Sequence, residues 1–290
     1  MRGTLSLMIV ACGWGCSNLP TPEQQKSISS DMHSALTSTP MFKRVVKRQC
    51  NYGCYSANGG VQCWGDNSYG ELGNGTTTKS DTPVLIPTLT IGVTDLVLGD
   101  RFACAVTTSG VTCWGDGYGP TPTAISGITT GVTKIVAGDA HACAIVNGNT
   151  MCWGQNGSGQ LGDGTQVSRQ TTAQTVLVSS HDGVTTDLAA GSTSTCGVAA
   201  HKLKCWGQIR TDQNGASPVI TKSNVPMVMI GSGVTGVRAA NDYTCATALG
   251  RTTCWGSTLD AAQSTTPVVA CGTLGPDPKV TRQYVTLMMQ

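Results

Sequence analysis

Cys143-Ala144-Ile145-Val146-Asn147-Gly148-Asn149-Thr150-Met151-Cys152-Trp153-Gly154 reads as two short strands folded about Asn147-Gly148, with one cysteine on each side of the turn. Asn and Gly accept the positive φ that a two-residue hairpin turn demands. The same unit, a cysteine, eight residues and then Cys-Trp-Gly, occurs five times. The other copies are Cys54…Cys63-Trp64-Gly65, Cys104…Cys113-Trp114-Gly115, Cys196…Cys205-Trp206-Gly207 and Cys245…Cys254-Trp255-Gly256. Their leading cysteines lie 50, 39, 53 and 49 residues apart. That spacing is the period of a β-propeller blade.

Register decides what the cysteines can do. Counting outward from a turn at Asn58-Gly59, Ala57 faces Gly60 and Cys54 faces Cys63. Opposed pairs alternate between hydrogen-bonded and non-hydrogen-bonded, and the cysteines fall on a non-hydrogen-bonded pair, where Cα atoms approach to about 4.5 Å. A disulfide accepts about 4.4–6.8 Å. Thr108-Ser109, Ala200-His201 and Leu249-Gly250 are weaker turns at the same register. The spacing predicts disulfides 54–63, 104–113, 143–152, 196–205 and 245–254, with small buried thiols as the alternative. No copy has the short paired spacing of a zinc site. Each tryptophan points to the face opposite its neighbouring cysteine, where the adjacent blade would cover it.

Upstream of each leading cysteine, β-branched residues run into a small-residue bend, as in VTDLVLGDRFACAV and VTKIVAGDAHACAI. Downstream, two copies carry a glycine-rich turn, GELGNGT at 70–76 and GQLGDGT at 159–165, read here as loop punctuation. Two residues before the leading cysteine stand Tyr52, Phe102, His141, Ser194 and Tyr243. One such residue per blade makes a ring near one mouth of the propeller. It serves either as an aromatic contact surface or as packing at the strand entrance.

The string G-D-x-H-A-C-A…C-W-G-x-N-x-x-G-Q-L-G-D-G-T at 138–165 resembles the repeat of the regulator of chromosome condensation family, and the first copy is similar. The resemblance extends over about residues 44–270. It implies an all-β closed propeller, usually of seven blades, although five copies are clear here. The founding member is a nucleotide-exchange factor for a nuclear GTPase that also docks on nucleosomes; secreted bacterial members, one of them an inhibitor of β-lactamases, resemble this chain better. The resemblance thus implies a binding platform whose target it does not specify.

Charge argues against nucleic acid as a partner, since 18 Lys and Arg face 16 Asp and Glu. Paired cysteines suit an oxidising compartment. Residues 1–16 look like a bacterial secretory or lipoprotein segment, with Ile9-Val10-Ala11-Cys12 as a lipobox and Cys12 as the expected lipidation site. Residues 17–43, with Pro20, Pro22 and Pro40, read as a tether, and 44–290 as the propeller. Val280–Met289 reads as a closing strand, and a Cys50–Cys271 bridge would staple the ring. Cys16 is then left as a free thiol. No cofactor motif, metal constellation or catalytic triad stands out.

The leading expectation is therefore a monomeric, exported, surface-anchored and non-enzymatic module that binds a protein or a surface glycan. Its only membrane association would be a lipid anchor. The alternatives are a cytosolic exchange factor or scaffold of the same family, and an extracellular hydrolase or lyase on a propeller scaffold. The hydrolase or lyase would need a charged cluster at one channel mouth.

Overall fold

The computed structural model describes residues 42–48, 52–57, 59–176, 183–210, 220–240 and 243–256, the first of these segments as backbone only. These residues hold nineteen β-strands and no helix. They form five antiparallel meanders. The first sheet is β1 (Phe42–Arg48), β2 (Tyr52–Ala57), β3 (Gly60–Gly65) and β4 (Ser80–Leu85). The second is β5 (Asp95–Leu98), β6 (Phe102–Thr107), β7 (Gly110–Gly115) and β8 (Gly119–Ala124). The third comprises β9 (Val132–Ala137), β10 (His141–Val146), β11 (Asn149–Gly154) and β12 (Arg169–Thr175). The fourth comprises β13 (Thr185–Ala190), β14 (Ser194–Ala199), β15 (Lys202–Arg210) and β16 (Ile220–Ile230). The fifth has three strands, β17 (Val234–Ala240), β18 (Tyr243–Ala248) and β19 (Arg251–Gly256). Strand β1 starts two residues before the expected boundary at 44.

Every hairpin has the register counted from the sequence. Cys54 faces Cys63, Cys104 faces Cys113, Cys143 faces Cys152, Cys196 faces Cys205 and Cys245 faces Cys254. All five pairs are disulfides with Cα separations of 4.0–4.1 Å, the short approach of non-hydrogen-bonded partners. The turns differ in how they reach this register. Asn147 and Gly148 have φ of 50° and 80°, and Leu249 and Gly250 have 51° and 75°. Ala200 and His201 adopt 48° and 57° without a glycine. The second hairpin shifts the positive φ past its turn to Gly110, at 123°. Asn58 lies outside the described residues, but Gly59 has the expected positive φ, 80°.

In the second to fifth sheets a threonine near the start of the inner strand repeats a bond that the sequence reading missed. The Oγ1 atoms of Thr94, Thr133, Thr186 and Thr235 donate to the carbonyls of Val106, Ile145, Val198 and Thr247. Each ties an inner strand to the end of the next strand in its own sheet.

Neighbouring sheets pack through their inner strands, and the tryptophans fill the layers between them. Trp114, Trp153 and Trp206 are at most 1 % exposed and Trp255 is 7 % exposed. Trp64 is only half-buried, against Tyr55 and Gly53. Trp64 lies on the side of the first sheet that no preceding sheet covers among the described residues. Tyr243, on the last sheet, is half-buried too. The expected closed ring is thus an open succession of five sheets over the described residues. The segments assigned to closure and anchoring, including Cys12, Cys16, Cys50, Cys271 and Val280–Met289, lie outside them.

Candidate functional site

In the second and third sheets, where both are described, two connections reach one face, here the loop face: the bend after the inner strand and the loop after Trp-Gly. The loop after the first copy begins with Asp66-Asn67. Asn67 is fully buried, donates its Nδ2 to the carbonyls of Thr76 and Thr78, and accepts the Leu72 N–H on Oδ1. Asn156 does the same in the third copy, with Thr165, Val167 and Leu161. One buried amide thus replaces a strand ladder in holding ten residues of loop.

The folded loop then clasps the next sheet. Trp114 Nε1 donates to the carbonyl of Glu71 at 2.8 Å, and Trp206 Nε1 to that of Gln160 at 2.9 Å. Gly75 N donates to Pro120 O, and Gly164 N to Asn224 O. Glycine is required where the loop meets the indole: a Cβ on Gly73 or Gly162 would lie 2.8 Å from Cδ1 of Trp114 or Trp206, and both glycines have positive φ. The glycines read as punctuation are therefore contact surfaces between blades. The second copy lacks this loop, and the Tyr118 hydroxyl lies against the Trp153 indole nitrogen instead. Burial pushes the Tyr118 phenol above its ordinary range, and the indole N–H pulls it partly back.

The ring of residues before the leading cysteines is turned into the same inter-blade layers. Tyr52, Phe102 and His141 are at most 2 % exposed. The Tyr52 hydroxyl is held between the carbonyls of Gly99 and Phe102, on the next sheet. His141 Nε2 meets Thr195 Oγ1 at 2.8 Å, and that hydroxyl donates to Gln160 O. The Phe102 ring lies 5.5 Å from the Tyr118 ring. Tyr243 is half-buried at the end of the described succession. Of the two readings of that ring, the burial of Tyr52, Phe102 and His141 favours packing at the strand entrance over an aromatic contact surface: at these three the polar or aromatic end joins one blade to its neighbour.

What the loop face exposes lies beside that ring. Tyr69, 44 % exposed, comes from the first clasp, and Arg101 from the bend of the second sheet. The Arg101 guanidinium stacks 4.7 Å over the Tyr69 ring and donates to its hydroxyl at 3.0 Å. Next to this pair is a shallow cleft of about 150 Å³ lined by Asp100, Arg101, Asp116, Asp139, Gln155 and Gln170. Its walls are fixed by main-chain bonds between blades, Asp100 N to Asp139 O and Asp139 N to Ser192 O. Small-molecule pockets usually hold about 300–1,000 Å³, and this cleft is smaller than that.

Charge separates the two faces among the described residues. Loop-face segments carry Asp66, Glu71, Asp100, Asp116, Asp139 and Asp163. Among the described residues, the segments on the opposite face, 86–94, 107–110, 125–131, 146–149, 199–202, 230–233 and 248–251, contain no Asp or Glu. Glu71 is only 2 % exposed. Burial pushes its carboxyl up, the N–H groups of Glu71 and Tyr69 pull it down, and the charges of Asp66 and Asp116 push it up again; the net direction is upward.

A second charged cluster sits between inner strands. Asp187 on β13 pairs with Lys134 on β9 and Arg238 on β17, and accepts the Val237 N–H at 2.8 Å. Burial alone would raise the Asp187 carboxyl; the Lys134 ammonium and the Val237 N–H hold it below the usual carboxylate range. These residues join three successive blades, and no sequence signal marked them as partners. Among the described residues, no group of three or more His, Cys, Asp or Glu side chains could hold a metal. No helix there is long and apolar enough to cross a membrane.

Residues 58–106 match the family model described as the regulator of chromosome condensation (RCC1) repeat. Over 81 residues the chain is 38 % identical to the E3 ubiquitin-protein ligase HERC2 of Homo sapiens, a match covering 26 % of this chain and 2 % of the ligase. Human WBSCR16 superposes with a TM-score of 0.59 at 18 % identity, covering 74 % of this chain and 61 % of that one. Prp20p of Saccharomyces cerevisiae superposes with a TM-score of 0.57 at 20 % identity, covering 75 % and 58 %. Yeast RCC1 (Prp20) bound to Kap60 gives a TM-score of 0.57 at 20 % identity, covering 71 % and 54 %. At these identities the likeness concerns the fold, and this chain spans less than two thirds of each of those structures.

Proposed function

We propose, from the premise that this chain is a propeller of the RCC1-repeat family, that it is a non-enzymatic module that binds another protein through its loop face. The observation that carries this reading is the exposed, pre-stacked Tyr69–Arg101 pair beside the cleft. Tyr and Arg are the residue types enriched at interface hot spots, and a pair already held in place loses little side-chain entropy on binding. The acidic rim favours a partner surface rich in Lys or Arg. That yeast RCC1 was solved bound to Kap60 and studied for binding to Gsp1p and histones supports a protein partner over a glycan.

Export is part of the same proposal. Five hairpin disulfides are compatible with an oxidising compartment. Ring closure would take place at the seam where Trp64 and Tyr243 are half-buried, and lipidation at Cys12 would anchor the module. Peptide mapping of native protein without reduction should recover all five pairs; free thiols at those positions would remove the case for export.

The binding test is photo-crosslinking in the native cell with the probe at residue 69, followed by affinity measurement with the captured partner. Tyr69→Ala with Arg101→Ala should weaken binding by at least ~2 kcal/mol without lowering the melting temperature. Ile91→Asp, on the opposite face, should leave binding unchanged. Binding that survives the first change and fails on the second would move the interface to the hairpin face.

A further inference from the structure

The three large apolar side chains most exposed among the described residues all stand on one face, the one that carries the hairpin turns. They are Leu249, Ile91 and Val184, at 83 %, 78 % and 63 % exposed. Leu249 also occupies a turn position with φ of 51°, where asparagine is favoured and a leucine does nothing for the fold. All three tips are braced. Leu249 N donates to Gly233 O, and the backbone just after the other two is tied to hairpin turns, by Val93 N to Gly59 O and by Thr185 N to Gly148 O. A Cβ on Gly148 would lie 2.8 Å from Val184 Cγ1, and one on Gly233 would lie 2.7 Å from Leu249 Cδ2. Apolar groups held rigidly in water mark a surface built for contact.

These tips belong to different blades. Ile91 leads into the second sheet, Val184 leads into the fourth, and Leu249 lies in the hairpin of the fifth. A protein hot spot gathers its anchors into one packed centre, whereas separated aliphatic tips suit a soft apolar layer that each can enter alone. Charge points the same way. The described segments of this face contain no Asp or Glu, while Lys202 and Arg251 follow the turns of the fourth and fifth hairpins. The carboxylates of the adjoining inner strands are engaged: Asp95 accepts the Leu96 N–H, and Asp187 pairs with Lys134 and Arg238. Around the tips the surface is rich in hydroxyls, with Thr88, Thr90, Thr129 and Thr130 exposed. Such uncharged donors can meet phosphate oxygens.

We propose that the hairpin face docks on the surface of an anionic lipid bilayer. Ile91, Val184 and Leu249 enter the boundary between headgroups and acyl chains, and Lys202 and Arg251 lie against lipid phosphates. Three aliphatic tips and two cations make a reversible contact. It turns the acidic loop face away from the like-charged membrane. The docking depends neither on a loop-face partner nor on an acyl chain at Cys12.

Vesicle flotation of the full, oxidised chain carrying Cys12→Ser tests this, with phosphatidylcholine alone or mixed equally with phosphatidylglycerol. Binding to the mixed vesicles should be at least ~10-fold stronger than to the neutral ones and should fall as salt rises. Ile91→Asn with Leu249→Asn should weaken it at least ~10-fold without lowering the melting temperature, since asparagine suits the Leu249 backbone. Lys202→Glu with Arg251→Glu should remove the preference for mixed vesicles. Tyr69→Ala with Arg101→Ala should leave vesicle binding unchanged, so the loop-face reading stands or falls separately. Failure to bind mixed vesicles overturns the proposal, and a protein crosslinked at residue 91 in the native cell would then take the face instead. Undiminished binding by the asparagine pair overturns it too, as does a loss confined to the Tyr69 and Arg101 pair. An unchanged preference in the glutamate pair overturns the role of the two cations.

Discussion

Glu71 and Gln160 occupy the same place in two copies of one loop. Each accepts a nearby backbone N–H on its side chain, from Tyr69 at 2.8 Å and from Ser158 at 2.9 Å. Only Glu71 carries a charge into a buried site, and its carboxyl is held above its ordinary range. A raised folded-state pKa means no penalty below the unfolded value of about 4.3, and a growing one as pH rises through the folded value. Glu71→Gln should therefore raise the melting temperature at about pH 7, with the gain vanishing near pH 4; equal gains at both would refute the burial argument. Ala200 is a second residue out of keeping with its backbone, with φ of 48° in a turn that favours asparagine there. Ala200→Asn should stabilise by about 0.5–1 kcal/mol in chemical denaturation. The Cys-x₈-Cys spacing revealed this turn even where its residues did not advertise it, because register depends on the count between strands.

At the scale of elements, the glycine-rich loop is a clasp between blades. Asn156→Ala leaves the Leu161 N–H and the carbonyls of Thr165 and Val167 without that partner. The expected cost is about 1–3 kcal/mol, read as a lower denaturation midpoint. Hydrogen exchange should be accelerated at Leu161–Thr165 and also at Trp206, whose indole the loop caps. Faster exchange confined to the loop would mean that the clasp carries no load between sheets. The motif was legible in the sequence, but its role was not: a glycine spared for φ and one spared for an approaching indole look identical until the neighbour is placed.

Over the whole molecule, Asp187 joins three blades. Its depressed carboxyl contributes stability that is present above the unfolded value of about 3.9 and is lost as pH falls through the lower folded value. Asp187→Asn should cost about 2 kcal/mol at neutral pH, and the difference from the parent should close below about pH 4. A gap that persists in acid would show that shape, not charge, does the joining. Lys134, Asp187 and Arg238 come from sheets 53 and 51 residues apart in the chain. No local pattern relates them.

Five hairpins, their register, their disulfides and their order as successive propeller blades followed from the sequence alone, because hairpin geometry depends on local spacing and turn chemistry. Which side of each blade faces its neighbour was decided only in three dimensions. That contact turned Tyr52, Phe102 and His141 inward, made the glycine-rich loops into clasps, and left Tyr69 and Arg101 outside. Residue type could not separate these aromatics, since burial is a property of the assembled blades and each blade's partner lies about fifty residues away.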